Sequence, residues 1–135
     1  MYIVFGNRVV DSNDFKKIIE SKTNFKVIKD MSKGSKREDV VAFNLSIGID
    51  TLNLEIEDDL SLLNEDDLFE ELMAITEELG YQIEEYLPVD SIIKFQAYKW
   101  EPSDNDIKSV LLIAQECMNE RKLNDILKRL LTQVE

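Results

Sequence analysis

The chain has 135 residues, and 28 Asp and Glu outweigh 16 Lys and Arg to give a formal net charge of −12. It carries no histidine, one cysteine, two prolines and four glycines. That composition excludes a histidine base, an internal disulfide framework and a zinc site built from several Cys and His ligands.

The length suits one domain that buries roughly two-thirds of the surface its unfolded chain exposes. A hydrophobic content of 44% belongs to a globular chain rather than to an acidic disordered tail. A net anion is repelled by phosphates, which disfavours direct nucleic-acid binding and docking on anionic membranes. Met1–Phe5 has no basic stretch before it and meets Gly6 at once, unlike a secretory signal. Apolar runs such as Val110–Ala114 fall far short of a membrane span. The expectation is a soluble cytoplasmic protein with no cofactor.

In chain order, Tyr2–Phe5 and Arg8–Val10 flank Gly6-Asn7, a two-residue turn signal that predicts a hairpin. Ser12 and Asn13 are N-cap residues, and Phe15, Ile18 and Ile19 give the following helix one apolar face. Phe25–Lys29 reads as a strand. Met31–Asp39, with Gly34, Lys33, Lys36 and Arg37, reads as a mobile polar loop.

Val41, Phe43, Leu45, Ile47 and Ile49 alternate with small or polar residues, the period of a strand. Leu52, Leu54 and Ile56 alternate with Asn53, Glu55 and Glu57, which predicts another. Asn64 caps a helix with Asp67 three residues later. Leu68, Leu72, Ile75 and Leu79 form its apolar stripe, widened by Phe69 and Met73, and Gly80 is placed as a C′ glycine.

Tyr81–Tyr86 and Ile92–Trp100 read as strands. Ser103 and Asp106 read as a second capping box, opening a helix from Asp104 to Met118 with Ile107, Val110, Leu111, Ala114 and Met118 on one face. Leu123, Ile126, Leu127, Leu130, Leu131 and Val134 form another face, nearly opposite if the helix continues. Either the helix breaks near Asn119–Lys122 and returns, or one long helix offers its tail to a second subunit as a homodimer contact.

The element order predicts a single α+β domain: a mostly antiparallel sheet of five to seven short strands with three or four helices, covering one face. Charge is distributed unevenly along it. Residues 1–40 hold nine basic and six acidic side chains, residues 41–90 hold fifteen acids and no Lys or Arg, and residues 91–135 hold seven of each.

Asp58 and Asp59 precede the Asn64 helix; Asp66, Glu70 and Glu77 lie along one side of its outer arc, Asp67, Glu71 and Glu78 along the other, and Glu84 and Glu85 follow. Uncompensated like charges three and four apart cost a few tenths of a kcal/mol each. The bland reading is a solvated face. A second is neutralisation by Lys33, Lys36 and Arg37 folded back onto the helix. The functional reading is an acidic surface that docks a basic protein partner, speeding encounter and selecting for it.

Metal readings of Asp104-Asn105-Asp106 and Glu57-Asp58-Asp59 fail the calcium-loop spacing, because the turn position that needs glycine is Leu63 or Ser109. Helix capping accounts for both. Cys117 reads as a buried inert thiol, and Trp100 as a packed indole at the core edge. The glycines are too far apart for a phosphate loop.

These features fit a non-enzymatic stoichiometric inhibitor of the immunity, antitoxin or phage anti-defence kind, whose basic partner handles nucleic acid. This is a likeness of physical character only. An assembly or adaptor protein that self-associates through Leu123–Val134 is the alternative. A carboxylate enzyme with a divalent metal is the least supported, since no motif places its residues.

Overall fold

The computed structural model describes residues 1–55 and 64–134 in their backbone course. The N-terminal hairpin forms as the Gly6-Asn7 turn dictates: β1 (Tyr2–Phe5) pairs antiparallel with β2 (Arg8–Asp11), and Gly6 takes φ 66°. Helix α1 (Ser12–Lys22) follows directly. Its cap is Asp11, whose carboxylate accepts from the Asn13 backbone N–H, one residue before the expected caps. Ser12 is freed from capping and donates instead to Asp30 across a 2.5 Å hydrogen bond.

The main sheet has four antiparallel strands in the order β3 (Lys26–Asp30), β4 (Val40–Gly48), β6 (Asp106–Gln115), β5 (Ser91–Glu101). With the hairpin there are six strands among the described residues, and the class is α+β. The helices lie on both faces of this sheet, not on one.

On the first face Val41, Phe43, Leu45, Ile47, Ile93, Phe95, Ile107, Leu111 and Ile113 meet Phe15 and Ile19 of α1, Ile3 and Phe5 of the hairpin, and Leu72 of α3 (Glu65–Gln82). On the second, Val40, Ala42, Val110, Leu112 and Ala114 meet Leu123, Ile126, Leu127 and Leu130 of α4 (Glu120–Val134).

That second face explains the largest correction. Residues 106–115 are a central strand, not a helix. Neighbours on both edges and helices on both faces leave Val110–Ala114 no exposed side, so the strand shows a continuous apolar run instead of alternation. The residues around Ser103 form the turn of the β5–β6 hairpin rather than a capping box. Asn105 takes φ 52° there, the left-handed conformation that asparagine tolerates. The two C-terminal faces are out of phase because a strand precedes the helix.

Three further expectations are corrected. Residues 49–55 form helix α2 (Ile49–Glu55), not a strand; Ile49 and Leu52, three apart, are both buried, and this spacing competes with the two-residue period. Ile56 and Glu57 lie outside the described residues. Residues 81–86 finish α3 and continue as a 3₁₀ turn, Ile83–Tyr86, with Ile83 fully buried. Gly80 lies within α3 and not beyond its end. A Cβ there would fall 2.5 Å from the Phe95 ring, so the glycine lets the helix approach the sheet.

The segment read as a mobile loop is fastened down. Ser32–Ser35 make a 3₁₀ turn with Met31, Ser32 and Ser35 buried. The Ser32 hydroxyl accepts from the Ala42 N–H at 3.0 Å, Ser35 donates to the Ser32 carbonyl, and Arg129 of α4 donates to the Ser35 carbonyl.

Candidate docking surface

Helix α3 begins as its sequence requires. The Asn64 side chain accepts from the Asp67 N–H at 2.8 Å, and Glu65, Asp66 and Asp67 occupy the first turn, where the helix dipole favours anions. Leu72 is buried at the centre of the inner face, and Leu68, Met73, Ile75 and Leu79 pack partly against the first core. This fixes the outer arc. Asp66, Asp67, Glu70, Glu71, Glu78, Glu84 and Glu85 are exposed and Glu77 is half-buried. Asp58 and Asp59 lie outside the described residues.

None of these eight carboxylates has an ion-pair partner among the described residues. The reason is topological. The start of the basic segment, Met31–Ser35, packs on β4 and α4 at the second face of the sheet, Glu38 bonds to Val4 of the hairpin, and α3 packs on the first face. Arg37 instead grips Asp39 with Nε and Nη2 at 2.7 and 2.8 Å. Among the described residues no ion pair joins this segment to α3, so the neutralisation of the helix by Lys33, Lys36 and Arg37 is not formed.

Sequence reasoning missed the aromatic part of this surface. Phe69 is 40% exposed, Tyr81 44% and Tyr86 46%. Phe69 lies on the arc of Asp66, Glu70 and Met73, at the rim of the apolar stripe into which its periodicity had drawn it. Tyr81 and Tyr86 belong to the segment that the sequence alone predicts as a strand. Tyr81 stands edge-on to Phe95 at 6.3 Å between ring centres, and its hydroxyl oxygen accepts from the Phe95 N–H. The surface thus combines uncompensated charge with exposed rings, the residue types that anchor protein interfaces.

The C-terminal stripe proposed for self-association is placed differently. Leu123, Ile126, Leu127 and Leu130 are buried under the chain's own sheet, and Leu131 and Val134 pack partly against the same cluster. Trp100 packs at the edge of the first core. Cys117 is exposed, contrary to the buried thiol expected, because it falls in the turn after β6 rather than on a helix. Among the described residues no group of three or more His, Cys, Asp or Glu is gathered as a metal site, and no helix is long and apolar enough to cross a membrane.

Five carboxylates, Asp11, Asp39, Asp90, Glu101 and Glu120, are held below the usual range by hydrogen bonds from their partners, and two of these join distant parts of the fold or close its basic segment. Hydrogen bonds from Arg37 hold Asp39 below the usual carboxylate range, and those from Arg8 do the same for Asp90, tying the hairpin to the start of β5. A carboxylate whose folded value is depressed contributes stability above its unfolded value and loses it as pH falls through the folded one. The urea midpoint is therefore expected to fall as pH drops below about 4, and Asp39→Asn should flatten that acid limb. An unchanged slope in the variant would remove Asp39 from the account.

No protein family, curated protein or solved structure matches the chain.

Proposed function

We propose that the protein is a non-enzymatic inhibitor that docks the outer face of α3 and the turn after it onto a basic surface of a partner protein. The observation that carries the reading is the set of eight carboxylates on α3 and its following turn without cationic partners among the described residues, interleaved with exposed Phe69, Tyr81 and Tyr86. Stability alone favours interspersed lysines here. Glu77 and Glu78 also stand at the dipole's negative end, where anions are disfavoured. A partner whose cleft handles nucleic acid has the complementary field, and covering that cleft blocks it.

The test is capture of the partner from the native host, followed by reversal of Glu70, Glu71, Glu77 and Glu78 to Lys. A basic protein should be captured, be displaced by salt, and lose at least tenfold in affinity for the reversed variant, mostly through slower association. Circular dichroism checks that the variant folds. Binding that is indifferent to both salt and reversal overturns the reading.

A further inference from the structure

The second face of the molecule carries a groove that the acidic-surface reading leaves unused. It lies between the 31–39 segment and α4 and is lined by Lys36, Arg37, Lys122, Asp125, Ile126 and Arg129. Its walls are fixed: Ser32 and Ser35 are buried beneath one side, and the Arg129 guanidinium is held by the Ser35 carbonyl. Lys36 is presented from a left-handed backbone, φ 58°, which a lysine adopts only at a cost. Arg37 is matched by Asp39, but Lys36, Lys122 and Arg129 have no ion-pair partner among the described residues. Asp125 is the one acid in the lining.

We infer that this groove receives the acidic α3 of a second copy of the chain, giving a head-to-tail contact. The argument is charge complementarity within one sequence. Helix α3 carries acids and no bases, and the groove sets four cationic side chains against Asp125. Within the chain no ion pair joins the two among the described residues, and nothing in the topology keeps them apart between copies.

The elements are similar in reach: α3 has 18 residues and α4 has 15, about 27 and 22 Å of helix. The overall charge of −12 opposes association at long range, but that repulsion is screened beyond about 8 Å while contact pairs are not. A head-to-tail contact leaves each end with one free face, so it extends unless its rotation closes a ring. It occupies the same α3 face as the inhibitor contact, so the two exclude each other. Failure of one leaves the other standing.

Sedimentation velocity on the full chain at physiological salt, across a concentration series, tests the proposal. The protein should show species larger than its 15.7 kDa monomer that dissociate as salt is raised. Lys36→Glu with Lys122→Glu and Arg129→Glu should abolish them, as should Glu70→Lys with Glu71→Lys and Glu77→Lys. Mixing the two variants should restore association, because each supplies the face the other lacks. Circular dichroism confirms that both fold. A monomer at all concentrations and salts overturns the inference. So does a dimer that survives both reversals, which would point to the exposed hairpin face of Tyr2, Val4 and Val9.

Discussion

Leu130→Asp is expected to remove a large share of the folding stability rather than to separate subunits. Leu130 is fully buried in the second core with Leu123, Ile126 and Leu127, under Val110 and Leu112 of the central strand. A carboxylate there loses its hydration and gains no cation, and the apolar contacts of the leucine go with it. The cost should exceed about 4 kcal/mol, in the range reserved for buried charge, against a total stability of about 5–15 kcal/mol for a typical domain. Leu130→Ala should cost about 2–5 kcal/mol by cavity formation alone. Leu131→Asp, on a half-buried position, should cost clearly less than Leu130→Asp. Urea denaturation followed by circular dichroism reads all three. Had α4 offered these leucines to another subunit, Leu130→Asp would leave a folded monomer, and that outcome would count against the internal role of α4.

Gly80→Ala should destabilise the protein although alanine is the better helix former. The helix gains about 1 kcal/mol in propensity. The new Cβ, however, sits 2.5 Å from three atoms of the Phe95 ring. That ring cannot swing aside freely, being 3% exposed and packed edge-on against Phe25 at 5.6 Å as well as Tyr81. Overpacking of this kind costs about 1–3 kcal/mol, so the net change is a loss of up to about 2 kcal/mol. A double-mutant cycle with Phe95→Leu checks the cause, because the smaller side chain should relieve the clash and make the pair less than additive. A Gly80→Ala variant more stable than the parent would mean that α3 does not approach the sheet this closely.

Gly80 also shows how far the sequence could be read. A glycine ending an apolar stripe has two physical explanations, a left-handed cap and a close helix–sheet approach, and only the tertiary partner distinguishes them. The same limit applies to residues 106–115. Ile107, Val110, Leu111 and Ala114 satisfy a helical spacing by coincidence, because a strand covered on both faces must be apolar at nearly every position. Local chemistry was readable where it acts locally: the Gly6-Asn7 turn, the Asn64 cap and the alternation through β4. The class followed from the mixture of such elements.

The charge map was legible in full, since it needs only the order of residues. Its spatial meaning was not, because which face of the sheet receives segment 31–39 is decided by contacts with α4 nearly a hundred residues away. The exposed rings of Phe69, Tyr81 and Tyr86 were hidden by the apolar periods that absorbed them.

The position of β6 governs the order in which the chain can be assembled. Gly48 pairs with Asp106 and Val40 with Ala114, so the longest edge of β4 waits for residues made more than fifty positions later. Pairing across such loops pays its entropy before any contact rewards it, which slows folding. During synthesis β4 would emerge with β3 as a neighbour on one side and an unpaired apolar edge on the other. Such an edge recruits foreign strands. Yield in the cell would then depend on how quickly the last third of the chain arrives, and slowing translation before residue 106 should divert more of it into aggregates.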